Sequence, residues 1–535
     1  MKKKILALLL ALCMLAGLLA GCGSSEEPSG TNPGGGGGES PPAGGGGEDN
    51  PGGGNDDPGE LVEIVVGCMS FAPVDDAVQT RIENKVNEYM EELINVRADF
   101  IWFDASSYGT QIPLMIQGGD QLDAIMYTPI PVASFTSFTG QGQFMDIAPY
   151  IDQYGPDIKA VLGEAGLAAT TKNGKLLGVG GMMSNASQYA IVMRTDVLED
   201  IGRLDDFNNM KTWSEFEDIL KDAVAAGYPG IANGDAEGTV FTTLPFLTGE
   251  ENFADSTWID FGGDGYQHTY IDPATDQFVC LYEAPRYKEA LLRAGRFYEE
   301  GLVYKDAATA MDYAATQVKN GVGSCYTNQI DFGGEPAQNA NCGYTMSFKY
   351  LENSDSQVAT GTFNKFGWGV PVTSKEPEAA VKFLTLLYTE NKVHETLTWG
   401  EEGVDWVRNA DGTGTYPNGG DSAEYHMSDF MYGNILTVCP WEGEGADLRE
   451  RQAAANAAMK TSKYVGFAVN TDPVMSEITA VQNVKTTYKP MLASGAYGAQ
   501  TEAKYEEFID ALYAAGMQKI LDEFNSQLSA WLAEQ

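Results

Sequence analysis

Cys22 is the residue whose chemistry is most closely specified by its neighbours. Lys2, Lys3 and Lys4 precede an apolar run from Ile5 to Leu19, and Leu19-Ala20-Gly21-Cys22 follows. The run is too short to cross a hydrocarbon layer of about 30 Å as a permanent helix, so it reads as a cleaved leader over residues 1–21. The small residues Ala20 and Gly21 fit a peptidase cleft, and the Cys22 thiol is placed to accept a diacylglyceryl group. Two acyl chains hold a protein stably at a membrane where one chain is marginal. The expected product is a chain lipid-anchored at Cys22, on the extracytoplasmic face.

Other reactive residue types are sparse or unpatterned. Cys68, Cys280, Cys325, Cys342 and Cys439 are odd in number and lack C-x-x-C spacing. A Cys325–Cys342 bridge is the nearest candidate, but buried free thiols fit the pattern better. His268, His394 and His426 show no metal-ligand spacing, so neither a metal site nor a Ser-His triad is expected, and no cofactor fingerprint is present. Asp and Glu are abundant, yet no spacing selects an acid and a base for glycosidic cleavage; no catalytic residue is assigned.

The elements that would position a site begin after residue 60. Residues 23–60 hold 15 glycines with Pro, Ser, Asn, Asp and Glu and no Lys or Arg. Such a segment buries too little apolar surface to order itself and would reach about 35 Å as a coil. The body, 61–535, is long enough for two or three domains and has no later apolar run of membrane-spanning length. A formal charge of -42 argues against nucleic acid or anionic lipid as partners.

Within the body, Leu61–Gly67 reads as a strand, Asp75–Ile94 as an amphipathic helix, Val96–Phe103 as a strand, Tyr108–Gln117 as a helix and Leu122–Tyr127 as a strand. That alternation predicts a parallel α/β sheet. Ligands of such sheets lie outside the carboxyl ends of the strands, here Ser70, Phe71, Asp104, Tyr127 and Thr128.

Three motifs in order carry a resemblance. Gly174-Lys175-Leu176-Leu177-Gly178-Val179 is followed by Ala190-Ile191-Val192-Met193-Arg194-Thr195-Asp196-Val197-Leu198, and then by Lys211-Thr212-Trp213-Ser214-Glu215-Phe216. The last reads as a capping box, with Thr212 capping a helix and Glu215 reaching back. Tyr298-Glu299-Glu300-Gly301-Leu302-Val303 with Asp306, Trp399-Gly400-Glu401-Glu402-Gly403, and the stretch from Tyr464 to Trp531 extend the pattern. The chain from about 61 to its end resembles the family 1 extracellular solute-binding proteins of ABC importers. The subgroup it resembles is that of LipO-like lipoproteins with a helical C-terminal domain.

The resemblance implies an α/β, two-lobed periplasmic-binding-protein-like fold (type II) with additional C-terminal helices about 464–535. By analogy the first lobe takes residues about 61–165 and 307–365, the second about 166–306 and 366–535. It also implies a monomer that captures a small-molecule ligand, an oligosaccharide, and delivers it to ABC permease subunits; a surface carbohydrate sensor or adhesin on the same fold is the alternative. Sugars are held by aromatic faces and by carboxylates or amides that bind hydroxyls. Trp258 and Trp441, in loops rich in Gly, Asp and Glu, are therefore candidate platforms. Tyr326 and Asn328, expected to follow a strand at 321–325, and the hydroxyl acceptors Glu401 and Asp405 complete the candidate set with Asp104. The C-terminal stripe Met517, Ile520, Leu521, Phe524, Leu528, Trp531 and Leu532 is expected to pack into the core.

Overall fold

The computed structural model describes residues 61–70, 74–232, 251–255, 258–262, 268–310, 312–420 and 422–535. The leader, Cys22, the linker and Phe71 lie outside them.

The chain opens as β1 (Val62–Ser70), α1 (Asp76–Ile94), β2 (Val96–Asp104), α2 (Ala105–Gly118) and β3 (Ala124–Tyr127), the elements expected from the hydrophobic periodicity. Asp75 caps α1 by accepting from Ala77 N at 2.9 Å, and Asn95, at φ +53°, ends it in the left-handed region that Asn tolerates. Strand β4 (Val179–Gly180) closes this first passage. The chain then crosses to β5 (Ser187–Arg194), α3 (Trp213–Ala225), α4 (Pro285–Glu299), β6 (Cys325–Asp331) and β7 (Met346–Tyr350). It returns as β8 (Gly367–Gly369), α5 (Pro377–Thr389) and α6 (Asn391–Trp399), and crosses again through α7 (Leu448–Ala458) to α8 (Met475–Ala493), α9 (Thr501–Ala514) and α10 (Met517–Leu532).

The first sheet has the order β2-β1-β3-β8-β4. β1 pairs in parallel with β2 from Val62↔Val96 to Ser70↔Asp104, and with β3 at Val66↔Ala124, while β8 runs antiparallel to β3 and β4. The second sheet has the order β6-β5-β7, both pairs antiparallel, with Val192 opposite Tyr326 and Phe348. These pairings correct the expected division. Residues 325–350 belong with 187–194 in the second lobe, and residues 363–432 share the first-lobe core with 64–179. Alternation of strand and helix says that a segment joins a sheet; only register says which one.

The C-terminal helices build a further core on the second lobe with residues 259–291. Met517, Ile520, Leu521, Phe524 and Leu528 are buried as expected, whereas Trp531 and Leu532 are half-buried, Trp531 edging Phe467 at 5.7 Å. The Thr212–Glu215 capping box is present, and Trp213 is buried. All five described cysteines are free. Among the described residues no helix is long and apolar enough to cross a membrane.

Two buried polar side chains fix the first sheet to its helices. Asn87 on α1 donates to Ala98 O and accepts from Ala98 N, both at 2.8 Å. Asp123, fully buried just before β3, accepts from Val65 N (2.9 Å), Gln121 Nε2 (2.8 Å), Ser374 Oγ (2.8 Å), Lys375 N (2.9 Å) and Glu376 N (3.0 Å). One carboxylate thus satisfies β1 and the amides leading into α5. Removing it orphans several part-buried donors at once. Asp123→Ala is expected to lower unfolding free energy by about 3 kcal/mol in urea titrations, with unchanged far-ultraviolet dichroism; a loss below about 1 kcal/mol would contradict this role.

Candidate functional site

The segment after α6 builds an aromatic cluster on the first lobe. Trp399 ends α6, and Gly400, at φ +89°, turns the chain so tightly that a Cβ there would lie 2.3 Å from Asp405 Oδ2. Buried Asp405 accepts from Glu401 N at 2.9 Å and from both Arg81 amino groups at 2.5 and 2.9 Å, which staples the segment to α1. The next turn is held by Trp406 Nε1 donating to Gly400 O. Gly414 donates to Pro440 O and accepts from Glu442 N, placing Trp441 beside Trp399; a Cβ on Gly414 would stand 3.1 Å from both rings.

The result is a nest of rings. Trp399 meets Trp406 at 5.3 Å and Trp441 at 4.8 Å, and Tyr416 and His426 each approach Trp441 at 4.9 Å. Trp399 and Trp406 are buried, Trp441 and Tyr416 half-buried, and His426 exposed while stacked on Trp399 at 8°. Buried rings beneath half-exposed ones give a rigid apolar face open to solvent.

Polar groups surround that face. Glu444 accepts from Trp441 N at 2.7 Å, and burial raises its carboxyl above the usual range. Although one edge of its ring meets solvent, desolvation by the packed rings around it lowers the His426 imidazole, against the field of Asp429. Asp429, ion-paired with Arg449 at 2.8 Å, also acts on Glu444 and on Asp331, the last residue of β6. Burial, aided by Asp429 and opposed by Lys365, pushes Asp331 up to about 6. Yet Asp331, Lys365 and the neighbouring Phe332 (41% exposed) are reached by solvent. Phe366 and Phe430 pack at 5.3 Å where Gly181 donates to Phe366 O, at the start of the first crossing between lobes. Asp429 therefore links the first-lobe aromatic face to the end of a second-lobe strand.

Trp441 is the expected candidate that this arrangement retains at its centre. Ser70, Tyr127, Thr128 and Tyr326 are corrected: all are buried. Ser70 Oγ donates to Phe103 O, Tyr127 Oη to Phe363 O, and Thr128 Oγ1 accepts from Ile130 N. Tyr326 lies inside β6 rather than after a strand, and its hydroxyl donates to Gln338 Oε1. Asp104 accepts from Ser107 N and Oγ at the start of α2 and Glu401 sits 3.9 Å from Arg81, both acting locally. Asn328 is exposed on β6 three residues before Asp331. Trp258 is half-buried beside Ile259 and Asp260, whose backbone bridges to Ile271 away from the aromatic nest. Tyr416, His426, Asp429 and Asp331 were missed. The criterion that selected Trp441, an aromatic ring in a Gly- and acid-rich loop, applies equally to Tyr416 and His426.

Comparison with known proteins matches this architecture. The family model described as bacterial extracellular solute-binding protein covers residues 76–392, and a domain of unknown function, DUF3502, covers 463–533. A carbohydrate ABC transporter substrate-binding protein of Streptococcus pneumoniae serotype 4 is 24% identical over 466 residues, 83% of this chain and 87% of the relative. The crystal structure of the N-glycan transport solute binding protein NgtS from Streptococcus pneumoniae superposes with a TM-score of 0.73 at 20% identity, over 88% of this chain and 99% of that one. NgtS in complex with Man1GlcNAc or Man5GlcNAc gives 0.66 and 0.63. An extracellular solute-binding protein from Bifidobacterium longum subsp. infantis gives 0.62 at 16% identity, over 88% and 98% of the two chains. With its two-lobed fold, its C-terminal helices and a family match over more than half its length, this chain belongs to the bacterial extracellular solute-binding proteins.

Proposed function

We propose that this protein is the substrate-binding component of an ABC importer and captures an oligosaccharide between its lobes for delivery to membrane permease subunits. The observation that carries the reading is the half-exposed face of Trp441, Tyr416 and His426, with Asp429, Glu444 and Asp331 around it. Rings of this kind cover the C–H faces of a pyranose, and carboxylates accept its hydroxyl donors. The carboxylates serve binding in this reading, and no catalytic step is assigned. The relatives support the ligand class: one is named for carbohydrate, and NgtS is described with bound Man1GlcNAc and Man5GlcNAc. Binding then closes the hinge and draws the population toward the closed form. The chain acts as a monomer held at the membrane by lipid on Cys22.

Calorimetric titration against a panel of neutral and amino-sugar oligosaccharides tests the site. Trp441→Ala is expected to weaken the best ligand by about 2 kcal/mol, roughly thirtyfold, because a central aromatic anchor dominates such contacts. Unchanged affinity would remove Trp441 from the site. Absence of binding by the parent protein across the panel would remove the ligand class.

Anchoring is tested separately. Cys22→Ser should move the protein from the carbonate-washed membrane fraction to the medium, and a variant retained in the membrane would refute lipid attachment at this residue.

Asp331 gives a pH signature. Its folded carboxyl titrates near 6, above the ordinary aspartate value, so between about pH 4 and 6 the folded chain holds more protons than the unfolded one. Stability from this residue is present at low pH and is lost as pH rises through that window. The thermal midpoint of the wild type relative to Asp331→Asn should therefore fall between pH 4 and pH 7; a pH-independent difference would show that Asp331 titrates normally.

A further inference from the structure

Helix α7 presents an unusual face to the rest of the molecule. Arg449, Gln452 and Asn456 follow at intervals of three and four and so share one side, while Glu450, Arg451, Ala454 and Ala457 face solvent. Arg449 and Gln452 are buried and Asn456 is half-buried. A helix packed for stability alone would put apolar residues on this side.

Each of the three reaches a different part of the protein. Arg449 donates to Val438 O (2.9 Å) and Asp429 Oδ2 (2.8 Å), both on the side of the first lobe, and to Gln452 Oε1 (2.8 Å) on α7 itself. Gln452 Nε2 donates to Phe332 O at 3.3 Å, at the end of second-lobe strand β6. Asn456 meets the first crossing segment: its Oδ1 accepts from Asn185 N (2.9 Å) and Ala186 N (3.0 Å), and its Nδ2 donates to Met183 O (2.7 Å). An amide side chain thus takes the place of a neighbouring strand where the backbone leaves one sheet for the other.

The second crossing is tied at the same place. Ser356 Oγ donates to Asn185 O at 2.7 Å and accepts from Ser187 N at 2.9 Å. Just beyond α7, Val358 N donates to Lys460 O and Ser462 N to Val358 O, both at 2.8 Å. All three crossings are therefore laced together around α7 by directional bonds. Hydrogen bonds fix orientation more sharply than apolar contact does, and groups nearest a rotation axis move least when lobes turn.

We propose that α7 is the pivot of the two lobes and that Asn456 is its positioning residue, holding the first crossing at a defined angle. The proposal rests on the two-lobed fold and not on the identity of the ligand. It is tested on ligand-free mature protein, so its failure is distinct from failure of the oligosaccharide reading. Nitroxide labels on Leu114→Cys, 56% exposed on α2, and Tyr313→Cys, 78% exposed in the second lobe, report the interlobe distance by electron dipolar spectroscopy, with the unsubstituted protein as labelling background. Asn456→Ala should at least double the width of the distance distribution. Asn456→Asp, which retains both acceptor contacts, should restore a narrow one. An unchanged width in Asn456→Ala, or equal broadening in the Ala and Asp variants, would overturn the pivot. If circular dichroism shows Asn456→Ala unfolded, Gln452→Ala is read by the same criterion.

Discussion

The architecture depends on a steric constraint at the middle of the first sheet. β8 enters between β3 and β4 after the whole second-lobe sheet has been traversed, and the approach is close. A Cβ on Gly180 would lie 2.2 Å from Phe363 O, and one on Gly367 would lie 2.3 Å from Tyr127 Oη and 2.4 Å from Val179 O. Glycine is the residue that permits such contact between backbones. With that space available, Trp368 fills the sheet interior and donates from Nε1 to Tyr432 O at 2.8 Å, which brings the 430–435 segment against the first crossing. The lobes are thereby joined at several points.

The candidate ligand face inherits its rigidity from this frame. Arg81 and Asp405 hold the loop that carries Trp406, and α6 supplies Trp399 as the floor under Trp441. What faces solvent is a thin layer of Tyr416, Trp441 and His426 on a buried base. Asp429 then relates that layer to the far lobe through its field at Asp331 and its ion pair with Arg449.

Hydrophobic periodicity made the first five elements legible to within a few residues, because β1 through β3 alternate with amphipathic helices in local order. The capping box at Thr212 was equally visible, being a contact between residues three apart. The lobe division was not legible. β6, with its polar Thr327-Asn328-Gln329 middle, and β8, a Gly-Trp-Gly tripeptide, carry no local pattern that names a sheet, and their assignment to different sheets depends on pairing across more than a hundred residues. Site residues behaved in the same way. The strand ends Tyr127 and Thr128 look like a mouth until β8 covers them, whereas Asp331 acquires its interest only from Asp429, close in space and distant in sequence.

The nested layout also dictates an order of assembly. β5, β6 and β7 lie within a continuous stretch, 187–350, and can pair as soon as that stretch is available. The first-lobe sheet lacks β8 until residue 369 is made, and its core lacks Tyr432 until later still. For a chain delivered amino terminus first, the lobe that begins the sequence is the later of the two sheets to close. Its β1–β3 unit keeps an unpaired edge through that interval, so closing the sheet at Gly367, Trp368 and Gly369 is a long-range contact, costly in loop-closure entropy, that the more than three hundred preceding residues must await.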